Sequence, residues 1–271
     1  MINALKGHWP EYLMEAAGLA CFVAVASTAT TLLEYPGSPL HRAIESQLLR
    51  HGVLGLVLGG VIAAIVYSPW GQQSGAHINP AVTWGFYRLG KIKAWDAVFY
   101  TLAQFAGAVA AVQLMRVIIG EPYSHPDVNY VVTRPGPDGL VVAFVAEFVI
   151  SFILMIVVLV SVNSRHLEKL TGLFVGLLIA AYLAFETPLS GMSLNPARSF
   201  GSALAAGEWA SLWVYFAAPM VAMLLAAEVY LRLRPERQLA CAKLHHRNDR
   251  RCIFCGAARG PSYPTETYVQ E

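Results

Sequence analysis

The sequence predicts an all-α membrane protein of six transmembrane helices and two re-entrant half-helices, folded as an inverted repeat. Three observations carry that prediction: a composition poor in charge, six long apolar segments, and a short motif that occurs twice at matching places. Of the 271 residues, 56% are hydrophobic and only 13% charged, whereas a soluble domain carries about 25% charged residues. Mean hydropathy is +0.50. The implied surroundings are a lipid bilayer. The net charge of +2 is too small to point to nucleic acid, and none is expected as a partner.

The apolar segments run over about Tyr12–Leu33, Leu48–Tyr67, Ala94–Gly120, Gly139–Val162, Leu170–Phe185 and Ala210–Leu231. Most approach the ~20 residues a helix needs to cross a hydrocarbon core of ~30 Å. The fifth is short. Met1 to Trp9 is polar and nearly uncharged, unlike a cleaved signal, and the first segment is long enough to stay in the membrane.

Between the second and third segments lies Ser74-Gly75-Ala76-His77-Ile78-Asn79-Pro80-Ala81-Val82-Thr83-Trp84-Gly85. Between the fifth and sixth lies Ser190-Gly191-Met192-Ser193-Leu194-Asn195-Pro196-Ala197-Arg198-Ser199-Phe200-Gly201. The two agree at Ser, Gly, Asn, Pro, Ala and Gly, and their flanks repeat as well. Tyr100-x-x-x-Gln104 in the third segment is answered by Tyr215-x-x-x-Pro219 in the sixth, and Glu15 in the first by Glu147 in the fourth. Three spans per half is an odd number, so the second half enters the membrane from the opposite side. Inverted repeats of this kind place the functional site near the midplane, where the halves meet. The channel domain is expected over 1–234, with repeats at about 10–120 and 140–232, followed by a cytoplasmic tail over 235–271.

Basic residues agree with this topology. Arg88, Lys91 and Lys93 follow the first motif, Arg165 and Lys169 join the fourth and fifth segments, and Arg232, Arg234 and Arg237 follow the sixth. The opposite loops hold fewer: Arg42, Arg50, Arg116 and Arg134. The positive-inside rule then places both termini in the cytoplasm; the plasma (inner) membrane is the expected location.

The motif itself reads as a pore. Asn is a strong N-cap, and Pro suits the first helical position because its missing N–H would be unpaired there anyway. Asn79-Pro80 and Asn195-Pro196 therefore each start a helix of about ten residues, or ~15 Å, which is half a bilayer. Irregular backbone at membrane depth is tolerated only where it is buried in protein or lines a polar cavity. Ser74–Ile78 and Ser190–Leu194 suit an extended chain whose carbonyls face a water path. Each Asn oxygen can cap backbone N–H groups, leaving its NH₂ free to donate to a permeant oxygen. The two half-helix N-termini carry partial positive charge, which repels cations and opposes a proton wire. Arg198 adds a full charge and is expected to face water, since an unpaired arginine at this depth is costly.

These segments resemble the paired signature loops of the aquaporin (major intrinsic protein) family, and the resemblance covers about residues 10–232. It implies a passive channel for water, a homotetramer of independently conducting protomers, and Asn79, Asn195 and Arg198 on the pore wall. It also implies that Glu15 and Glu147 hold the re-entrant loops by hydrogen bonds, with Gln104 as a further buried polar group, and that His77 sits beside the first loop. Two departures bear on selectivity. Water-selective members place a Phe where this chain has Gly59, and a His where it has Leu183, next to Tyr182. With Met192 and Arg198 as the remaining wall, a wider constriction is expected, one that also passes a small neutral solute such as glycerol. Ser199 after the signature arginine, where glycerol channels carry Asp, points the other way.

Other classes fit less well. A secondary transporter needs a coupling-ion site, for which Glu15 and Glu147 are the only intramembrane candidates. An enzyme is not expected, because there is no Ser/His/Asp set, no catalytic carboxylate pair and no phosphate-binding loop. The channel itself requires no cofactor. In the tail, however, Cys241, His245, His246, Cys252 and Cys255 have the ligand chemistry of tetrahedral zinc, with Cys241, Cys252, Cys255 and either histidine as the expected set. Cys21 lies in the first span, so no extracellular disulfide is suggested.

Overall fold

The structure, a computed structural model, describes residues 1–233, 239 and 241–256. Arg234, Arg237 and the tail beyond Gly256 lie outside the described residues. The helices are α1 (Ile2–Glu34), α2 (Pro39–Ala43), α3 (Gln47–Tyr67), α4 (Pro69–Ser74), α5 (Pro80–Arg88), α6 (Ala94–Ile119), α7 (Glu121–Ser124), α8 (Gly139–Val162), α9 (Thr171–Phe185), α10 (Thr187–Ser190), α11 (Pro196–Ala206) and α12 (Leu212–Leu233). Six of these segments are long and apolar enough to cross a membrane. They match the six predicted spans within a few residues, except at the start of α1. That helix begins ten residues earlier, because His8 (2.7 Å) and Tyr12 (2.6 Å) anchor its first turns to Asp96 on α6.

The inverted repeat is visible in the packing. Helix α1 packs on α6, and α8 on α12; the half-helix α11 lies on α6, and α5 lies on α12; α3 packs on its own counterpart, α9. The half-helices, Pro80–Arg88 and Pro196–Ala206, are 9 and 11 residues long, too short to cross.

Gly59, expected at the pore wall, is found in the α3–α9 contact. A Cβ there would stand 2.2 Å from the carbonyl oxygen of Gly176, and one on Gly176 would stand 2.5 Å from that of Gly59. Glycine on both sides lets the two backbones touch, as small residues do at membrane helix crossings. Gly59→Leu should therefore destabilise the protein by roughly 3 kcal/mol or more, since backbone rather than a movable side chain must give way. Gly60→Leu, beside it with nothing within 4 Å of its Cβ position, should leave the melting temperature of the detergent-solubilised protein unchanged. Equal melting temperatures for the two variants would contradict this assignment.

Candidate functional site

Both half-helices begin as the sequence suggests. Asn79 adopts an extended conformation (φ −154°) and its Oδ1 accepts from the Ala81 N–H at 2.9 Å. Asn195 (φ −140°) accepts from Ala197 at 3.1 Å and Arg198 at 3.3 Å. Their amide groups are not wholly free, however. Asn79 Nδ2 donates to the Leu194 carbonyl at 2.8 Å, and Asn195 Nδ2 to the Ile78 carbonyl at 2.8 Å. These reciprocal bonds lock the tips of the two half-helices together and leave the second hydrogen of each NH₂ for another acceptor.

The chain entering each tip is strained in the same way in both halves. Ala76 (φ 56°) and Ile78 (φ 40°) are matched by Met192 (φ 52°) and Leu194 (φ 62°), all left-handed and none of them glycine. Left-handed backbone costs an L-residue roughly 1–2 kcal/mol, so the surroundings must hold it in place. Glu15 does so in the first half: it accepts from Ser74 Oγ (2.8 Å) and from the N–H groups of His77 (3.0 Å) and Ile78 (2.5 Å). Glu147 repeats the pattern with Ser190 Oγ (3.0 Å) and the N–H groups of Ser193 (2.5 Å) and Leu194 (2.8 Å). Tyr100 and Tyr215 donate to the carbonyls of Ser74 (2.7 Å) and Ser190 (2.6 Å). Gln104 breaks the symmetry, donating to Glu15 (2.9 Å) and Thr83 (3.2 Å) where the second half has Pro219.

Arg198 emerges from the first turn of α11 and its guanidinium donates to Thr133 Oγ1. Thr133 belongs to the loop between α7 and α8, which is tied down on both sides. Gly136 N–H donates to Leu189 O at 2.9 Å, and Arg134 forms a forked ion pair with Glu208, including Nε to Oε2 at 2.7 Å. That hydrogen-bonded arginine holds the Glu208 carboxyl below its usual range. Thr133 also meets Ser199 Oγ at 2.9 Å. Leu183 and Met192 are buried nearby in the chain, at the end of α9 and in the re-entrant segment, and Tyr182 is half-buried.

Two participants escaped the sequence reading. Thr133 sits in a loop with no motif to mark it. Glu186, one residue beyond the fifth span, is buried and shares the Ser190 hydroxyl with Glu147. Burial and the neighbouring Glu147 push Glu186 up to about 8. Its Oε2 and the Tyr182 hydroxyl have no partner among the described residues.

His77 is fully enclosed. Its Nδ1 meets Thr83 Oγ1 at 3.2 Å, and its Nε2 meets the Ala242 carbonyl at 2.7 Å. A carbonyl only accepts, so Nε2 carries the hydrogen. The ring is stacked between Phe86 (5.1 Å) and Phe254 (5.6 Å). The tail thus reaches the first re-entrant segment. Within the tail, Cys241, His246, Cys252 and Cys255 bring their ligand atoms within 4.8 Å of one another. His245 points elsewhere, its ring edge-on to Tyr67 at 5.3 Å.

Comparison with known proteins was made against this geometry. Aquaporin NIP1-2 of Oryza sativa subsp. japonica is 37% identical over 202 residues, 72% of this chain and 66% of its own length. The chain thus spans about two thirds of that relative. Aquaporin NIP2-1 of the same plant is 36% identical over 237 residues, 86% of this chain and 75% of its own length. Among solved structures, the aquaglyceroporin from Plasmodium falciparum superposes with a TM-score of 0.71 over 86% of this chain and 100% of that one, at 23% identity, and so shares the fold. The family model for major intrinsic proteins matches residues 6–230, and with the duplicated Asn-Pro-Ala tips, their glutamate anchors and the six spans all inside that range, the chain belongs to the major intrinsic protein family.

Proposed function

We propose that this chain is a passive channel for water that also admits small uncharged solutes such as glycerol and excludes ions and protons. One pore runs through each protomer of a homotetramer in the plasma (inner) membrane, with both termini cytoplasmic. The observation that carries the reading is the pair of Asn-capped half-helices joined tip to tip by reciprocal bonds at 2.8 Å. Two helix N-termini facing one point give a positive centre that disfavours cations and interrupts a chain of like-oriented waters. The carbonyls of Ile78 and Leu194, in the strained segments before each tip, accept the two bonds that join the tips. Admission of solutes is supported by Leu183, an apolar side chain where a histidine would add a donor. The relatives named above are aquaporins, and the fold relative is named an aquaglyceroporin. Glu15 and Glu147, the two candidates for a coupling-ion site, are engaged in loop anchoring, which favours a channel over a transporter.

Osmotic swelling of proteoliposomes without an ion gradient tests this, run with an impermeant osmolyte for water and then with glycerol. Fast water flux with a low temperature dependence, accompanied by glycerol uptake, is expected. Flux no greater than that of protein-free vesicles, in every buffer including one with a metal chelator, would overturn the channel reading. Water flux with complete exclusion of glycerol would remove the solute part.

A further inference from the structure

The tail beyond α12 carries a cluster that the pore does not need. Cys241, His246, Cys252 and Cys255 converge until their ligand atoms all lie within 4.8 Å of one another. Cys241 Sγ and Cys252 Sγ are 3.3 Å apart, and His246 Nε2 and Cys255 Sγ 3.2 Å. Four ligands around a tetrahedral zinc, at ~2.3 Å for sulfur and ~2.0 Å for nitrogen, stand about 3.4–3.8 Å from one another. With every ligand atom within 4.8 Å of the others, three sulfurs and one imidazole form a nearly assembled Cys₃His set. The backbone is shaped for it too. Cys252-x-x-Cys255-Gly256 closes as a turn, with Gly256 N–H donating to Cys252 O at 3.2 Å and Gly256 at φ 73°, a conformation that favours glycine. Lys243 is 1% exposed, with Nζ bonded to the Arg251 carbonyl at 2.8 Å.

This cluster sits against the first re-entrant segment. Leu244 N–H donates to Gly75 O at 3.1 Å, occupying a carbonyl of the re-entrant segment that leads to Asn79. Phe254, inside the Cys252–Cys255 turn, stacks on His77, and its ring edge lies 3.1 Å from where a Cβ of Gly75 would be. Arg251 grips Glu11 with a fork of 2.7 and 2.6 Å, Asn248 reaches Gln72 O at 3.4 Å, and Arg247 pairs with Glu168 at 2.9 Å. The tail therefore bridges α1, α4, the first re-entrant segment and the α8–α9 connection at one end of the bundle.

We propose that Cys241, His246, Cys252 and Cys255 bind a zinc ion, and that the zinc-closed tail is a cover over the cytoplasmic mouth of the pore. The covering role rests on the channel reading; the metal site does not. Zinc holds the two cysteine arms together, the turn presents Phe254 to His77, and the Leu244 amide takes the Gly75 carbonyl from permeating water. Loss of the ion frees the arms and opens the mouth.

The full chain, purified under reducing conditions from zinc-supplemented cells, should contain about one zinc per chain by elemental mass spectrometry. Cys21→Ser should keep it, and Cys252→Ser with Cys255→Ser should lose it. Equal zinc in that double variant and the wild type, or a Cys241–Cys252 disulfide with no zinc, overturns the site. Trypsin reports the seat without conduction: cleavage after buried Lys243 should be slow with zinc and fast after treatment with the chelator TPEN, and equal rates overturn the cover. In proteoliposomes TPEN should raise the water permeability of the wild type by about fivefold or more, the lower end of ordinary coupling between sites. Phe254→Ala should keep its zinc yet conduct as the chelated wild type does. An unchanged wild-type permeability on chelation overturns the cover and leaves the metal count standing. Chelated wild type and Phe254→Ala both as tight as protein-free vesicles would instead sink the channel reading.

Discussion

Glu147→Ala should abolish folded, conducting protein, with a loss of about 4 kcal/mol or more. The carboxylate is wholly buried and accepts from Ser190 Oγ and the N–H groups of Ser193 and Leu194. Alanine leaves two backbone donors unsatisfied in a segment that is already strained at Met192 and Leu194. Each orphaned buried donor costs roughly 1–3 kcal/mol, and the space left by the carboxylate adds to that. Glu147→Gln should fall between, because one oxygen can still accept while the NH₂ confronts a backbone donor. Glu15→Ala should match Glu147→Ala in size, since the first half repeats the same three contacts. Size-exclusion profiles and melting of the solubilised protein read this directly. A Glu147→Ala protein that melts with the wild type would show that the loop is held by something else. A Glu147→Gln protein of wild-type stability but altered proton dependence would argue for proton relay in place of anchoring.

The anchors were legible because the repeat showed them twice. One intramembrane glutamate has many explanations; two, each in the first span of a half and each followed by the same motif, share one. The caps were legible for a local reason, since Asn-Pro dictates a helix start whatever the tertiary context. What the sequence withheld depends on distance between remote parts. The Asn79–Leu194 and Asn195–Ile78 bonds exist only because the tips touch, and no single half contains that fact. Gly59 occupies the family's filter position by counting, yet its Cβ direction is set by the rotation of α3 against α9, which counting does not supply. Glu11 fell just outside the first apolar run as read from hydropathy, although it is as buried as Glu15. Thr133 and Glu186 lie in connections without a period. In the tail, the residue types were readable but that His246 and not His245 gathers with the three cysteines was not, because it rests on the path of the chain between Cys241 and Cys252.

Arg198→Val should weaken the barrier to protons and cations while leaving water conduction in place. Arg198 is the third residue after the Asn195 cap, so its full charge sits on the same turn that carries the half-helix's partial charge. Each helix N-terminus supplies about half an elementary charge. The guanidinium therefore contributes as much as both dipoles together. At an effective dielectric of about 20, a unit charge ~5 Å from a cation in the pore opposes it by about 3 kcal/mol, or roughly two orders of magnitude in occupancy. Water in the pore screens part of this, so an increase of about ten- to a hundredfold in proton flux is expected. Thr133→Val separates charge from position. It removes the acceptor that holds the guanidinium and keeps the positive charge, so it should alter the ratio of glycerol to water permeability without opening a proton leak. Proton flux is followed with a pH-sensitive dye trapped in the proteoliposomes, and water and glycerol by light scattering on the same preparation. If Arg198→Val leaks no more than wild type, the dipoles meeting at Asn79 and Asn195 suffice for exclusion. Arg198, fixed by Thr133 and by the Arg134–Glu208 pair behind it, would then be a donor that orients the solute.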